Sequence, residues 1–307
     1  MGKASRTKQQ PDRRARIAAQ READRRRQQR NRIYLAGGSI IVVAIIAVAF
    51  VLFKGNGSTT ASGTSNGPTG AALASVVKKT TSVPAATLDQ VGSGGSASIS
   101  PPFKITPAQP ALTSAGKPEM LYVGAEYCPY CAAERWSMVV ALSRFGTFTG
   151  LSTVHSSSTD VYPNTPTWTF RNATYTSPYL VFDHVEEFTN VPTSSGGYTT
   201  LETPTAAEQA TFTKYDAAPF ISAADDGSYP FVDFGNTHEI VGASYSPQVL
   251  DGKTWAQIAS ALTDPSSAIA QNVDGTANYI TASICSMTNN QPATACTSVV
   301  KALEAKI

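Results

Sequence analysis

The sequence predicts an α/β domain held behind one membrane-spanning helix, and three observations carry that prediction. Ile33 to Phe53 is a run of 21 residues with no charged side chain. Met120 to Phe145 reads as a short apolar strand, a tight turn and a helix, with Trp136, Val139, Val140 and Ser143 on a three-to-four-residue period. Pro230 opens a second apolar strand (PFVDF), followed by a Gly-Asn turn, another strand (HEIVGASY) and a helix marked by Trp255, Ile258, Ala259 and Leu262. With 42% hydrophobic and 15% charged residues in 307, the chain has ample apolar content for a core. That excludes a disordered protein.

Charge is distributed unevenly. Residues 1–32 carry 12 Lys/Arg and 3 Asp/Glu, whereas the chain from Lys54 onward carries 12 and 19. A nucleic-acid-binding domain spreads its basic charge over a folded surface; this chain concentrates it in a tail, and no nucleic-acid partner is expected. The apolar run that follows is long enough to cross the ~30 Å hydrocarbon layer as a helix. It is apolar on every face, unlike a surface helix. It is also longer than the apolar region of a cleavable signal, and no small-residue cleavage site follows it. The positive-inside rule then puts residues 1–32 in the cytoplasm and everything after the span outside. Residues 33–53 thus meet the lipid bilayer, and the chain is expected to be a single-pass membrane protein.

Residues 54–94 are expected to be a flexible linker. Gly55 to Gly70 is Gly/Ser/Thr-rich without apolar periodicity, and a weakly apolar stretch after it is a candidate for docking on the folded part. Residues 95–307 form the extracytoplasmic domain, ending in a helical extension.

The four cysteines, Cys128, Cys131, Cys285 and Cys296, all fall on the outer side, where disulfides persist. Cys128-Pro129-Tyr130-Cys131 stands at the start of the first helix. Pro129 suits the first helical position, where an N–H has no intrahelical partner. Cys128 then occupies the cap, facing unpaired N–H groups and the positive end of the helix dipole. Such a setting favours thiolate over thiol, with values of about 3.5–7.5 in comparable sites. Cys131, one turn on, is expected to be the more buried resolving thiol. A zinc site would call for a second such pair or a Cys/His pair, and His155, His184 and His238 are isolated in the sequence. A copper relay is a further alternative, disfavoured by the two-residue spacer and the lack of a methionine-rich segment. A purely structural bridge across so short a loop contributes little stability. Neither metal nor cofactor is expected.

Met120 to Phe145 resembles the first strand and active-site helix of the thioredoxin superfamily, and CPYC matches the glutaredoxin tetrapeptide. The resemblance implies that Tyr229-Pro230 is the cis-proline step beside the cysteines, with Pro129, Tyr130, Tyr229 and Pro230 supporting the site. The whole ectodomain further resembles an uncharacterised family of membrane-anchored thioredoxin-like proteins, through GAEYCPYCAAERW, DVYPNTPT and NQPATAC. That implies a thioredoxin-like fold with a large insertion between the active-site helix and the cis-proline. Two departures stand out: Tyr229 is bulkier than the usual residue there, and no Gly-Gly-x-Asp pattern is present to hold glutathione.

The insertion contains strand-like segments at Val154–Ser158, Thr167–Phe170 and Tyr179–Phe188, and a helix is expected over Thr205–Tyr215. The insertion either covers the site, binds a substrate or serves as a structural flap. Cys285 and Cys296, on two short helical stretches ten residues apart, are expected to form a structural disulfide worth about 3 kcal/mol. The functional expectation is a membrane-tethered thiol–disulfide oxidoreductase acting on exported protein thiols or disulfides, or on a membrane redox partner. The alternatives are a non-catalytic envelope binding module and a copper-handling protein.

Overall fold

The computed structural model describes residues 67–194, 196–223 and 225–307. The basic tail, the Ile33–Phe53 segment and the first part of the tether lie outside them. No helix among the described residues is long and apolar enough to cross a membrane.

The fold is mixed α/β, built on a central mixed sheet. Its middle strand is β3 (Lys117–Gly124), preceded by the short β1 (Phe103–Lys104) and β2 (Thr113–Ser114). Met120, Leu121, Tyr122 and Val123 are all 0% exposed, as a near-continuous apolar run requires when both faces of a strand are covered. On one edge β3 pairs in parallel with β8 (Val181–Glu186). On the other it pairs antiparallel with β11 (Phe231–Phe234), which turns back through β12 (His238–Val241) to reach β1. β2 meets only Lys117 and Pro118.

Alternation along the strands divides the core. Met120 and Tyr122 join the larger cluster with Trp136 and Val139 of α3 (Pro129–Leu142) and Val273 and Ile280 of α6 (Ala268–Met287). Leu121 and Val123 face Phe212 and Tyr215 of α4 (Ala206–Tyr215). Helices therefore cover both faces of the sheet. α3 is buried all round apart from Tyr130, because it lies between the sheet and α6. Its charged pair Glu134–Arg135 is consequently interior.

Capping residues set the helix starts. Thr205 and Glu208 form a capping box at α4, as do Thr254 and Gln257 at α5 (Trp255–Ala261). The C-terminal pattern resolves into the 20-residue α6 and α7 (Ser298–Glu304). They are joined by the Cys285–Cys296 disulfide, Cα–Cα 5.8 Å.

Two sequence expectations are corrected. The 54–94 stretch is not linker throughout: Gly70–Thr81 and Ala85–Val91 form α1 and α2, with Val76 and Leu88 in the main core. The Asn278 amide donates to the Leu88 and Gly92 carbonyls at 2.7 and 2.9 Å, tying the end of α2, where Leu88 O also accepts the Gly92 N–H, to α6. The insertion is also smaller than expected, because Val181–Glu186 is a strand of the central sheet. What remains between α3 and β8 is a pair of nested antiparallel ribbons. β4 (Thr147–Thr149) pairs with β7 (Thr174–Thr176), and β5 (Ser152–His155) pairs with β6 (Pro166–Thr169). A hairpin of β9 (Phe188–Pro192) and β10 (Tyr198–Thr200) follows β8. The ribbons are bolted to the helices: the Trp136 and Trp255 indoles donate to the Pro166 and Thr167 carbonyls at 2.9 and 2.8 Å, and the Thr167 hydroxyl donates to Ala132 O at 2.7 Å.

Candidate active site

The site forms where β3 ends and α3 begins. Cys128 is the N-cap in extended conformation, Pro129 takes the first turn, and the Cys131 backbone N–H donates to Cys128 Sγ at 3.2 Å. The sequence-predicted cap geometry is present. The Tyr229–Pro230 peptide is cis, and the Tyr229 carbonyl lies 4.0 Å from Cys128 Sγ. Cys128, Pro129, Tyr130, Cys131, Tyr229 and Pro230 therefore meet in one place. Cys285 and Cys296 are bonded to each other on α6 and the chain before α7, while Cys128 and Cys131 carry free thiols.

Burial departs from expectation. Cys128 is 5% exposed and Cys131 0%, packed with Ala125 and ringed by Tyr127, Tyr130, Phe188 and Tyr229. Burial pushes the Cys128 thiol well up, and its hydrogen bond and charge coupling to Cys131 add to this. The Cys131 N–H and Arg135 pull the other way without prevailing. A cap position favours thiolate only while water or donors can replace the lost hydration; here one N–H does so. Burial of Cys128 thus works against the thiolate that its cap position favours.

The inserted segments reach Tyr127, just before the tetrapeptide, and Tyr130 within it. Tyr127 stacks on Tyr198 of β10 with ring centroids 4.0 Å apart, and Tyr130 meets Tyr162 edge-on at 6.1 Å. The Ser157 N–H donates to Tyr127 O at 2.8 Å. Tyr229 stacks on Phe212 and donates its hydroxyl to Glu187. The ribbons thus act as structural backing along α3, and the hairpin supplies a wall of the site.

Beneath the cysteines lies a polar group that sequence reasoning missed. Arg135 Nη2 donates to Glu186 Oε2 at 2.5 Å and to Ala125 O at 2.7 Å, with both side chains 0% exposed. Tyr122, also fully buried, directs its hydroxyl to Glu186 Oε2 at 3.5 Å. Burial works to discharge Arg135, but Glu186, Tyr122 and Cys131 together outweigh it. Burial raises Glu186, and Arg135 offsets part of that. The available signal was a Glu-Arg pair four residues past a cysteine, in a helix too apolar to lie at the surface. Among the described residues no group of three or more His, Cys, Asp or Glu is arranged to hold a metal ion.

Residues 101–286 match a family described as a domain of unknown function, DUF929. The chain belongs to that family. The matched DUF929 region takes in the whole central sheet, α3 and nearly all of α6, and so contains every residue of the candidate site. Neither the curated proteins nor the solved structures contain a match to the chain.

Proposed function

We propose that this DUF929 protein is a membrane-tethered thiol–disulfide oxidoreductase of thioredoxin-like fold, working outside the cytoplasm on exported protein thiols or disulfides. The observation that carries the reading is Cys128 Sγ at the N-cap of α3, bonded by the Cys131 N–H and flanked by the carbonyl of Tyr229. A strand–turn–helix unit with a parallel neighbour on one edge and an antiparallel hairpin on the other supports the thioredoxin-like assignment. Tethering rests on the uncharged Ile33–Phe53 run and the 12 basic residues before it.

In the reductive direction the Cys128 sulfur attacks a substrate disulfide, forms a mixed disulfide and expels the first substrate thiolate. Cys131 then attacks Cys128 and expels the second. Limited alkylation of the reduced chain should label Cys128 before Cys131. Cys131→Ser should trap mixed disulfides through Cys128. Preferential labelling of Cys131 and no trapped adduct would defeat this reading.

A second reading, a non-catalytic envelope binding module, draws support from the burial of Cys128 and the upward shift of its thiol. It predicts no turnover of any artificial disulfide.

A further inference from the structure

The end of α3 far from the cysteines carries a cleft. Cys128 caps the start of this 14-residue helix and Ser143 its end, so about 20 Å of helix separates the two places. The cleft measures about 230 Å³ and lies between the α1–α2 turn, the end of α3 and the chain that follows α6. Leu88, Val140 and Ala295 give it a buried floor, Val83 adds to its apolar lining, and the exposed Ala85 and Thr294 stand at its rim.

Among the described residues that line the cleft, Arg144 alone is charged. Its Nη1 donates to Asn278 Oδ1 and Thr281 Oγ1, both at 3.2 Å, and its Nη2 donates to Ala295 O at 2.7 Å. All three acceptors are neutral, and no described residue gives Arg144 a carboxylate in salt-bridge contact. Asp89 acts on it from further off, while its own Oδ1 accepts the Thr297 hydroxyl at 2.9 Å. Burial pulls the guanidinium down to about 10, and Asp89 offsets only part of that. A largely buried cation held by neutral groups alone keeps an unbalanced charge. Arginine meets a carboxylate with two parallel N–H···O bonds, and here open space adjoins the cation.

Charge and volume define what fits. One guanidinium balances one negative charge, and Asp89 repels a second. Ser143 spends its hydroxyl proton on the Val139 carbonyl at 2.6 Å, and Thr81 spends its own on Val77 O at 2.9 Å. Neither offers a donor for the extra oxygens of a phosphate; Thr294, at the rim, supplies the remaining hydroxyl. An enclosed cavity of ~150 Å³ accepts benzene, whereas pockets for drug-sized ligands start at roughly 300 Å³. The cleft falls between them.

We propose that this cleft binds a small organic monocarboxylate, with its carboxylate on Arg144 and its short branched or aromatic body against Val83, Leu88 and Val140. The site is distinct from the cysteine pair and does not depend on the oxidoreductase reading. An occupant touches α2, α3 and the loop that the Cys285–Cys296 disulfide closes, so it stabilises the folded chain by mass action.

Calorimetric titration of the full chain in detergent at neutral pH tests this. The probes are 3-methylbutanoate and benzoate, compared with 3-methylbutanamide and inorganic phosphate. Both carboxylates should bind one per chain and raise the unfolding temperature, whereas the amide and phosphate should bind roughly tenfold more weakly or not at all. Arg144→Gln should weaken both carboxylates roughly tenfold or more. Should that variant fail to fold, Thr294→Glu decides: on the exposed rim it sets a fixed carboxylate beside the cation, and it should weaken the probes by a similar factor. Equal binding of acid and amide would mark a merely apolar cleft and overturn the proposal, as would preferential binding of phosphate. Undiminished carboxylate binding in Arg144→Gln, or in Thr294→Glu where it alone folds, overturns it too. So does the absence of carboxylate binding to the folded wild type.

Discussion

Asp233→Asn should stabilise the protein at pH 8 and leave it nearly unchanged at pH 5. Asp233 sits on β11 between Leu121 and Glu239 on the α4 face and is 0% exposed. Its Oδ1 accepts the Asn236 N–H at 2.7 Å, while Oδ2 is buried without a partner among the described residues. Burial raises it from 3.8 to about 7, Glu119 adds to the shift, and Lys214 opposes it. A folded-state value above the unfolded one means that the stabilising contribution is full below the unfolded value and is lost as pH rises through the folded value. Three units at 1.36 kcal/mol each set an upper bound of about 4 kcal/mol lost by pH 8. Asparagine keeps the Oδ1-type acceptor but leaves a buried N–H, which costs about 1–3 kcal/mol. The net gain at pH 8 is then about 1–3 kcal/mol. Urea unfolding of the full chain in detergent at the two pH values measures it. A difference between variant and wild type that is the same at pH 5 and pH 8, or a loss at pH 8, would refute the reasoning.

Replacing Cys285 and Cys296 together by Ser should cost about 3 kcal/mol in thermal or urea unfolding while the exchange reaction continues; loss of exchange at full stability would contradict the structural assignment. Gly124→Ala should cost about 1–3 kcal/mol in urea unfolding by forcing the Tyr122 hydroxyl aside; an unchanged midpoint would contradict the close packing there. Between pH 6.5 and 4 a His238→Gln variant should lose less stability than the wild type. Burial holds His238 down at about 4, so its contribution is lost as pH falls through that window. External protease applied to intact cells should remove the domain after Lys54 and spare the basic tail; protection of the domain would reverse the topology.

Much of the fold is legible in the sequence because it rests on local signals. The Met120–Ala125 run, Pro129 at a helix start, the helical stretch over Thr205–Tyr215 and the period after Trp255 each depend on neighbours within a turn or two. β8 reads as part of the insertion because parallel pairing with β3 spans a long crossover, and no local pattern says which strand it will join. α1 and α2 do not stand out in the sequence because Ala, Ser and Thr give little apolar contrast; their stability comes from docking on α5 and α6. The CPYC geometry is visible in the sequence, whereas the burial of Cys128 is not. Cap position is a local property, but burial by Phe188 and Tyr229 is not. Arg135 and Glu186 lie 51 residues apart, and nothing in either segment announces the other.

The four cysteines are also sorted by chain statistics before any tertiary contact forms. Cys285 and Cys296 are separated by 11 positions, and Cys128 and Cys131 by a single helical turn. A cross-pairing between the two sets would have to close a loop of roughly 150 residues. Loop-closure entropy makes that encounter about 50-fold rarer than the local one, a difference of about 2 kcal/mol. In an oxidising compartment each sulfur therefore meets its native neighbour first. The Cys285–Cys296 staple can therefore close locally, ahead of any cross-link to Cys128 or Cys131.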